Sequence, residues 1–280
     1  MSSQPRVLTV GTGAVGAIYS WRLSKSCNVT TVCRSNFDIV KEQGFEINSA
    51  KFGEEVFKPD NVVRTVSECV DSEPYDYILI TLKALPEIYN CADIIAPAVS
   101  KNTTIVLIQN GLGVEEPITD RFPENPIVSI VAYIGTSQND PGKITMVGRE
   151  SLVVGKYHAA KTDSDEQRQK FSELLIKGGV DVQFVDDVER VRWQKLFWNS
   201  AFSPVCAMTG MNTTEVLENE EAMNAVKQER GSPMEVEVIL GTPLKRAKAK
   251  GLKVPYLELI HSVCSASNSF ALKQSKKAQL

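Results

Sequence analysis

No apolar run in this 280-residue chain approaches the roughly 20 residues a helix needs to cross a bilayer, so no membrane span is expected. Histidine is scarce. His158 and His261 are the two present, and neither stands near another metal-type cluster, which argues against a histidine-based metal centre. The six cysteines (Cys27, Cys33, Cys69, Cys91, Cys206 and Cys264) are scattered, with no C-x-x-C pair. In a chain of this length that usage indicates reduced thiols rather than a disulfide frame or a zinc site. Excess positive charge is also missing: the formal net charge is −3, whereas a nucleic-acid or anionic-membrane binder needs a net basic face. The opening MSSQPR has no charged-then-apolar leader layout and the closing KKAQL is no recognised address, so the expected location is the cytoplasm. What remains is an ordinary globular composition, 42% hydrophobic, sufficient to build one large core or two moderate ones.

The first half alternates strand-like and helix-like segments. Arg6–Val10 is a nearly continuous apolar run, Ala14–Leu23 a helix, and Val29–Val32 a second strand. Tyr77–Leu82, Thr104–Ile108 and Ile127–Ala132 read as further buried strands, and the two short runs within residues 144–156 as a hairpin. Ser164–Ile176 is an acidic-started amphipathic helix stopped by Gly178 and Gly179, followed by a last strand in VDVQFV. Beyond about Asp186 the strand signals vanish and helical patterns take over. The expectation is α/β: a doubly wound, Rossmann-type sheet over residues 1–187, and a smaller all-helical domain over 188–280.

The glycines Gly11, Gly13 and Gly16 fit G-x-G-x-x-G in the right context, with a strand before, a helix after and a second strand about twenty residues on. In that motif the first glycine makes the tight turn, the second lets backbone approach a pyrophosphate, and the third lets helix pack on strand. Gly11, Thr12, Gly13, Ala14, Val15 and Gly16 are therefore expected around the phosphates, at the positive end of the helix. The second strand ends in TTVCRSN. Cys33 is neutral where an NAD site places a carboxylate, and Arg34 follows at once, either as a solvated surface charge or as the partner of a 2′-phosphate. The absent carboxylate makes NADPH the expected cofactor.

A second constellation lies in VRWQKLFWNSAFSP, where Lys195 and Asn199 stand four apart on one helical face among Trp193, Leu196, Phe197 and Trp198. Spacing alone leaves two readings open. Lys195 either snorkels past Trp193 into solvent, or sits partly desolvated beside an amide, where burial lowers its pKa toward a proton donor's. Lys83 directly follows one buried strand and Asn110 the next, the strand ends at which open α/β sheets place their ligands.

In this order, G-T-G-A-V-G, C-R, T-L-K-A, Q-N-G, W-x-K-L-x-x-N and PMEVEVILGTP…KAKGLKVP, the chain resembles the ketopantoate reductase (2-dehydropantoate 2-reductase) family over nearly its whole length. The resemblance implies an NADPH-dependent reductase that converts the 2-keto acid ketopantoate to D-pantoate, on the route to pantothenate and coenzyme A. It assigns Lys195 as general acid, Asn199 as a substrate-binding amide and Asn110 as a contact of both nicotinamide and substrate. Lys83 becomes a cofactor contact, and Glu235 the acidic residue near the cofactor and the lysine. By residue type alone Glu235 also reads as a solvated helix-start carboxylate. Ser203, a further hydroxyl for the substrate, stands where many members have a second asparagine. The family carries a longer stretch between the Lys–Asn helix and the Glu, with a Ser-Ser-Met-type segment for the substrate carboxylate, and this chain runs straight from one to the other. Two alternatives follow from that shortening: a catalytically impaired NADPH-binding protein, or a reductase of a different 2-keto acid. A shortened helical domain would also expose apolar surface for a second copy to cover, giving a homodimer.

Overall fold

The computed structural model describes residues 4–70, 73–162, 164–196, 199, 236–254, 257–258, 261–262 and 265. Two compact units divide the chain: Met1–Lys83, Tyr89–Gln109 and Val114–Val191 form the first, and Ala84–Ile88, Asn110–Gly113 and Arg192–Leu280 the second.

The first unit is built on a ten-stranded sheet. Its strands are β1 (Arg6–Val10), β2 (Asn28–Val32), β3 (Phe45–Ser49), β4 (Gly53–Phe57), β5 (Asn61–Val63), β6 (Tyr77–Ile80), β7 (Thr104–Ile108), β8 (Ile127–Asp140), β9 (Lys143–Gly155) and β10 (Val182–Val185). Six of them, in the order β5-β2-β1-β6-β7-β8, run parallel, which is the doubly wound dinucleotide-binding order with its reversal at β1. The apolar runs YILI and TIVLI occupy β6 and β7, buried at every residue, because helices cover both faces of a parallel sheet. Helices α1 (Ala14–Leu23), α2 (Phe37–Gln43), α3 (Cys91–Ile95), α4 (Glu116–Arg121) and α5 (Asp165–Lys177) belong to the same unit. Val7, Ile18, Trp21, Leu79, Val106, Phe171 and Leu175 share one core, with the Tyr77 and Phe171 rings 5.0 Å apart.

Several elements differ from the sequence expectation. The strand expected to end at Ala132 continues to Asp140, and residues 144–156 hold no hairpin but the single strand β9, antiparallel to β8. The sequence GRE inside β9 reads as a turn. In the fold, however, Glu150 points inward, 2% exposed, accepting from Tyr19 Oη at 3.1 Å and Lys51 Nζ at 2.8 Å. Burial pulls the Lys51 ammonium down, but its contacts with Glu150 and Asp181 outweigh it and hold the pKa above the usual lysine value. Beyond Ala132, β8 becomes half-exposed and polar, so its apolar signal stops before its hydrogen bonds do. The Tyr77 strand closes at Ile80, two residues short, and Ser164 is the N-cap of α5 rather than its first turn. β3, β4 and β5 carried no expectation. The last two are short or exposed edge strands, while FEINS in β3 does alternate buried and exposed.

In the second unit, residues 192–196 continue a helical run that begins at 188, and residue 199 is helical. A π-helical turn, Glu237–Gly241, runs without a break into α6 (Thr242–Ala249), which carries Pro243 as its second residue. No helix among the described residues is long and apolar enough to cross a membrane, and no group of three metal-ligating side chains is found among them.

Candidate functional site

In the first unit, the carboxyl ends of β1, β2, β6 and β7 carry the residues expected to hold a nucleotide. The three glycines do three different jobs. Gly11 has φ +99°, and a Cβ there would lie 2.5 Å from the Leu82 amide nitrogen, so only glycine turns the chain this tightly. Gly16 lies under Thr81: a Cβ would come within 2.6 Å of Thr81 Oγ1 and 2.7 Å of the Gly11 carbonyl, which Thr81 Oγ1 itself donates to at 2.8 Å. Gly13 is different. A Cβ there would meet nothing within 4 Å, which is the open approach a pyrophosphate requires. As the N-cap of α1, Gly13 supplies no side-chain acceptor, so the first-turn N–H groups stay directed at an incoming anion. These residues fit a dinucleotide.

The neighbouring chain is pinned. Thr12 is buried, and both its hydroxyl, at 2.9 Å, and its backbone N–H, at 3.4 Å, donate to the Val32 carbonyl, so both of its donors are directed at β2 and not at the space above Gly13. Asn36 Nδ2 donates to the Thr12 carbonyl at 3.0 Å and to Gln138 Oε1 at 3.1 Å, a support that sequence reading misses and that RSN after β2 could have suggested. Ala14 and Val15 are partly buried against the core. Arg34 is exposed at the end of β2, with no side-chain hydrogen bond or ion pair among the described residues. Lys83 is likewise exposed, and its carbonyl accepts from Tyr89 Oη. Gln109 at the end of β7 donates to the Leu82 carbonyl at 2.8 Å, tying the β6 and β7 exits together.

In the second unit, the structure brings together two residues that lie 85 positions apart. Lys195 Nζ donates to Asn110 Oδ1 at 2.7 Å. Lys195 is half-buried and Asn110 exposed. The lysine therefore does hold an amide, though the amide is that of Asn110. Asn199 is helical and half-buried, with no side-chain hydrogen bond among the described residues. Glu235 and Ser203 lie outside the described residues, as do Phe197 and Trp198. Arg192, which sequence reading passes over, is buried and donates from Nη1 to the Gly111 carbonyl at 3.1 Å. Two residues past Glu235, Glu237 accepts from Lys245 Nζ at 3.3 Å and pairs with His261 Nε2 at 3.0 Å. Burial pushes its carboxyl up, but the hydrogen bonds and charges of His261 and Lys245 together outweigh that and hold it below the usual carboxylate value.

Comparison with known proteins gives the same family at both ends. The family described as ketopantoate reductase PanE/ApbA matches residues 7–159, and its C-terminal counterpart matches 187–229 and 228–268. The two C-terminal pieces meet where the sequence runs directly from the Lys–Asn helix toward Glu235. The meiotically up-regulated gene 72 protein of Schizosaccharomyces pombe is 27% identical over 329 residues, more than this chain contains, so this chain lacks a stretch that relative carries. The match takes in 95% of this chain but only 57% of that protein's length. A 2-dehydropantoate 2-reductase of Nostoc is 22% identical across 90% of this chain and 92% of its own. The crystal structure of 2-dehydropantoate 2-reductase from Methylococcus capsulatus superposes with a TM-score of 0.79 at 26% identity, covering 95% of this chain and 97% of that one. With the first of the two matches alone spanning more than half of its residues, the chain belongs to the ketopantoate reductase family.

Proposed function

We propose that the protein is an oxidoreductase that reduces the ketone of a 2-keto acid with NADPH, and that its substrate is ketopantoate and its product D-pantoate. The observation that carries this reading is the Lys195–Asn110 hydrogen bond. A carrier that only binds nucleotide has no need of an ammonium group held at 2.7 Å by an amide in the helical unit.

On this reading, Gly11, Gly13, Gly16 and the amino end of α1 hold the pyrophosphate, with Arg34 on the 2′-phosphate and Lys83 on a neighbouring part of the nucleotide. The nicotinamide, when bound, supplies the hydride. As negative charge builds on the ketone oxygen, the Lys195 ammonium stabilises it and then donates the proton. An ammonium has three donor hydrogens, so the bond to Asn110 is compatible with a second one to the substrate. Asn110 fixes the direction of the lysine. Asn199, one turn further along, offers an amide to the substrate's hydroxyl or carboxylate, with Ser203 as a second donor, and Glu235 supports the lysine.

The test is NADPH consumption with a panel of 2-keto acids that includes ketopantoate. Turnover on ketopantoate above the others is expected. NADPH binding without turnover on any of them would replace the enzyme by a nucleotide-binding protein, and turnover confined to another acid would change the substrate.

A further inference from the structure

The turn at Asn110–Gly113 is gripped twice by the same helical run. Lys195 Nζ donates to Asn110 Oδ1 at 2.7 Å, and Arg192, three residues earlier, donates from Nη1 to the carbonyl of Gly111 at 3.1 Å. The i,i+3 spacing puts both side chains on one helical face, so neighbouring side chains hold two consecutive residues of the turn. Arg192 is 4% exposed, a burial that a guanidinium tolerates only when it is hydrogen-bonded. The π-helical segment also holds the turn. The Leu112 N–H donates to the Val238 carbonyl at 3.1 Å, and the Val238 side chain fills the space that a Cβ on Gly111 would enter. Gly111 has φ +102°, a conformation with few intrinsic restraints in glycine, so the shape of the turn depends on what holds its carbonyl and its neighbours.

The geometry points to Arg192 as a positioning residue for the Asn110–Lys195 pair, an inference that rests on the reductase reading above. Arg192 holds the Gly111 carbonyl, and through it the direction in which the Asn110 side chain leaves the backbone. Without that grip the Gly111–Leu112 peptide keeps only the bond from the Leu112 N–H to Val238, the turn loosens, and Lys195 loses the fixed acceptor that aims it. Misplacement of about 1 Å in such a group lowers turnover while leaving the nucleotide's phosphate contacts, at the glycine turn and Arg34, in place.

The experiment compares wild type, Arg192→Met, Asn110→Ala and the double variant. Measured for each are kcat and KM for ketopantoate, NADPH affinity by fluorescence, and hydrogen exchange at the Leu112 amide. Arg192→Met is expected to lower kcat about tenfold, leave NADPH affinity unchanged and speed exchange at Leu112. In the Asn110→Ala background it is expected to lower kcat no further, because its effect passes through Asn110. A full additional loss in the double variant would overturn the inference, as would wild-type kcat in Arg192→Met. If Arg192→Met does not fold, Arg192→Lys replaces it. A smaller loss that disappears in the Asn110→Ala background is then expected, and unchanged kcat overturns the proposal. A wild-type protein inactive on every keto acid refutes the reductase reading instead. Leu112 exchange then decides whether Arg192 holds the turn at all, and unchanged exchange removes it.

Discussion

Replacing Gly13 by alanine separates what the glycine turn does for a nucleotide from what it does for the fold. At Gly13 φ is −81° and ψ −157°, extended geometry open to any residue, and an added Cβ meets no atom within 4 Å. The apo protein is therefore expected to keep its stability to within about 1 kcal/mol, since the reduced freedom of its unfolded chain, worth about 0.4–1 kcal/mol, is offset by the preference for glycine over alanine at an N-cap. The same methyl group stands at the amino end of α1, where a pyrophosphate needs close backbone approach. Displacing the phosphate from one N–H removes a charge-assisted hydrogen bond, a loss of about 1.5–3 kcal/mol. That corresponds to roughly a ten- to hundredfold weaker NADPH affinity. Gly11 and Gly16 should behave in the opposite way. With a left-handed φ and Leu82 nitrogen at 2.5 Å in one, and Thr81 Oγ1 at 2.6 Å in the other, alanine there should lower the melting temperature of the apo protein itself. The assay pairs thermal melts of the three apo variants with NADPH titrations followed by fluorescence. Wild-type NADPH affinity in Gly13→Ala would refute the assignment of that space to phosphate. A large drop in its apo stability would refute the geometric argument.

Lys195→Ala is expected to cut kcat on the order of 10²-fold or more with NADPH affinity preserved, and unchanged turnover would remove the lysine from the chemistry. Arg34→Asp should weaken NADPH far more than NADH, because a carboxylate repels the 2′-phosphate but accepts from a 2′-hydroxyl; equal losses would sink the assignment. Glu237, held below the ordinary carboxylate value, contributes stability that is present above the unfolded-state value and lost as pH falls through the lowered folded one. Glu237→Gln should accordingly flatten the acid limb of a urea-midpoint profile, and an unaltered limb would show that its partners do not stabilise the charge.

The parts of the fold legible in the sequence are those whose signal is continuous. Arg6–Val10, Ala14–Leu23 and Thr104–Ile108 are uninterrupted apolar or helical patterns, and the structure places them at the expected residues. β9 escapes a local reading because Glu150 is polar by type yet buried by circumstance: Tyr19 and Lys51, 131 and 99 residues away in sequence, are what make its burial tolerable. No local pattern carries that information. The candidate site shows the same division. Lys195, Asn110 and the glycines announce themselves by residue type and spacing. Arg192 does not, because either arginine in VERVRW looks like part of a solvated helix face until the Gly111 carbonyl is seen to be the acceptor of one of them. Asn36 and Val238 likewise act through contacts that exist only once distant segments meet.

The second unit takes Ala84–Ile88 and Asn110–Gly113 from the middle of the first unit's sequence. Cutting the chain after residue 191 would carry Asn110 away from Lys195, and a fusion that grafts residues 192–280 onto another nucleotide-binding half would import the lysine without its acceptor. The ammonium–amide couple can therefore be inherited, swapped or engineered only if the exit of β7 travels with it, which makes that short loop part of the helical half's heredity.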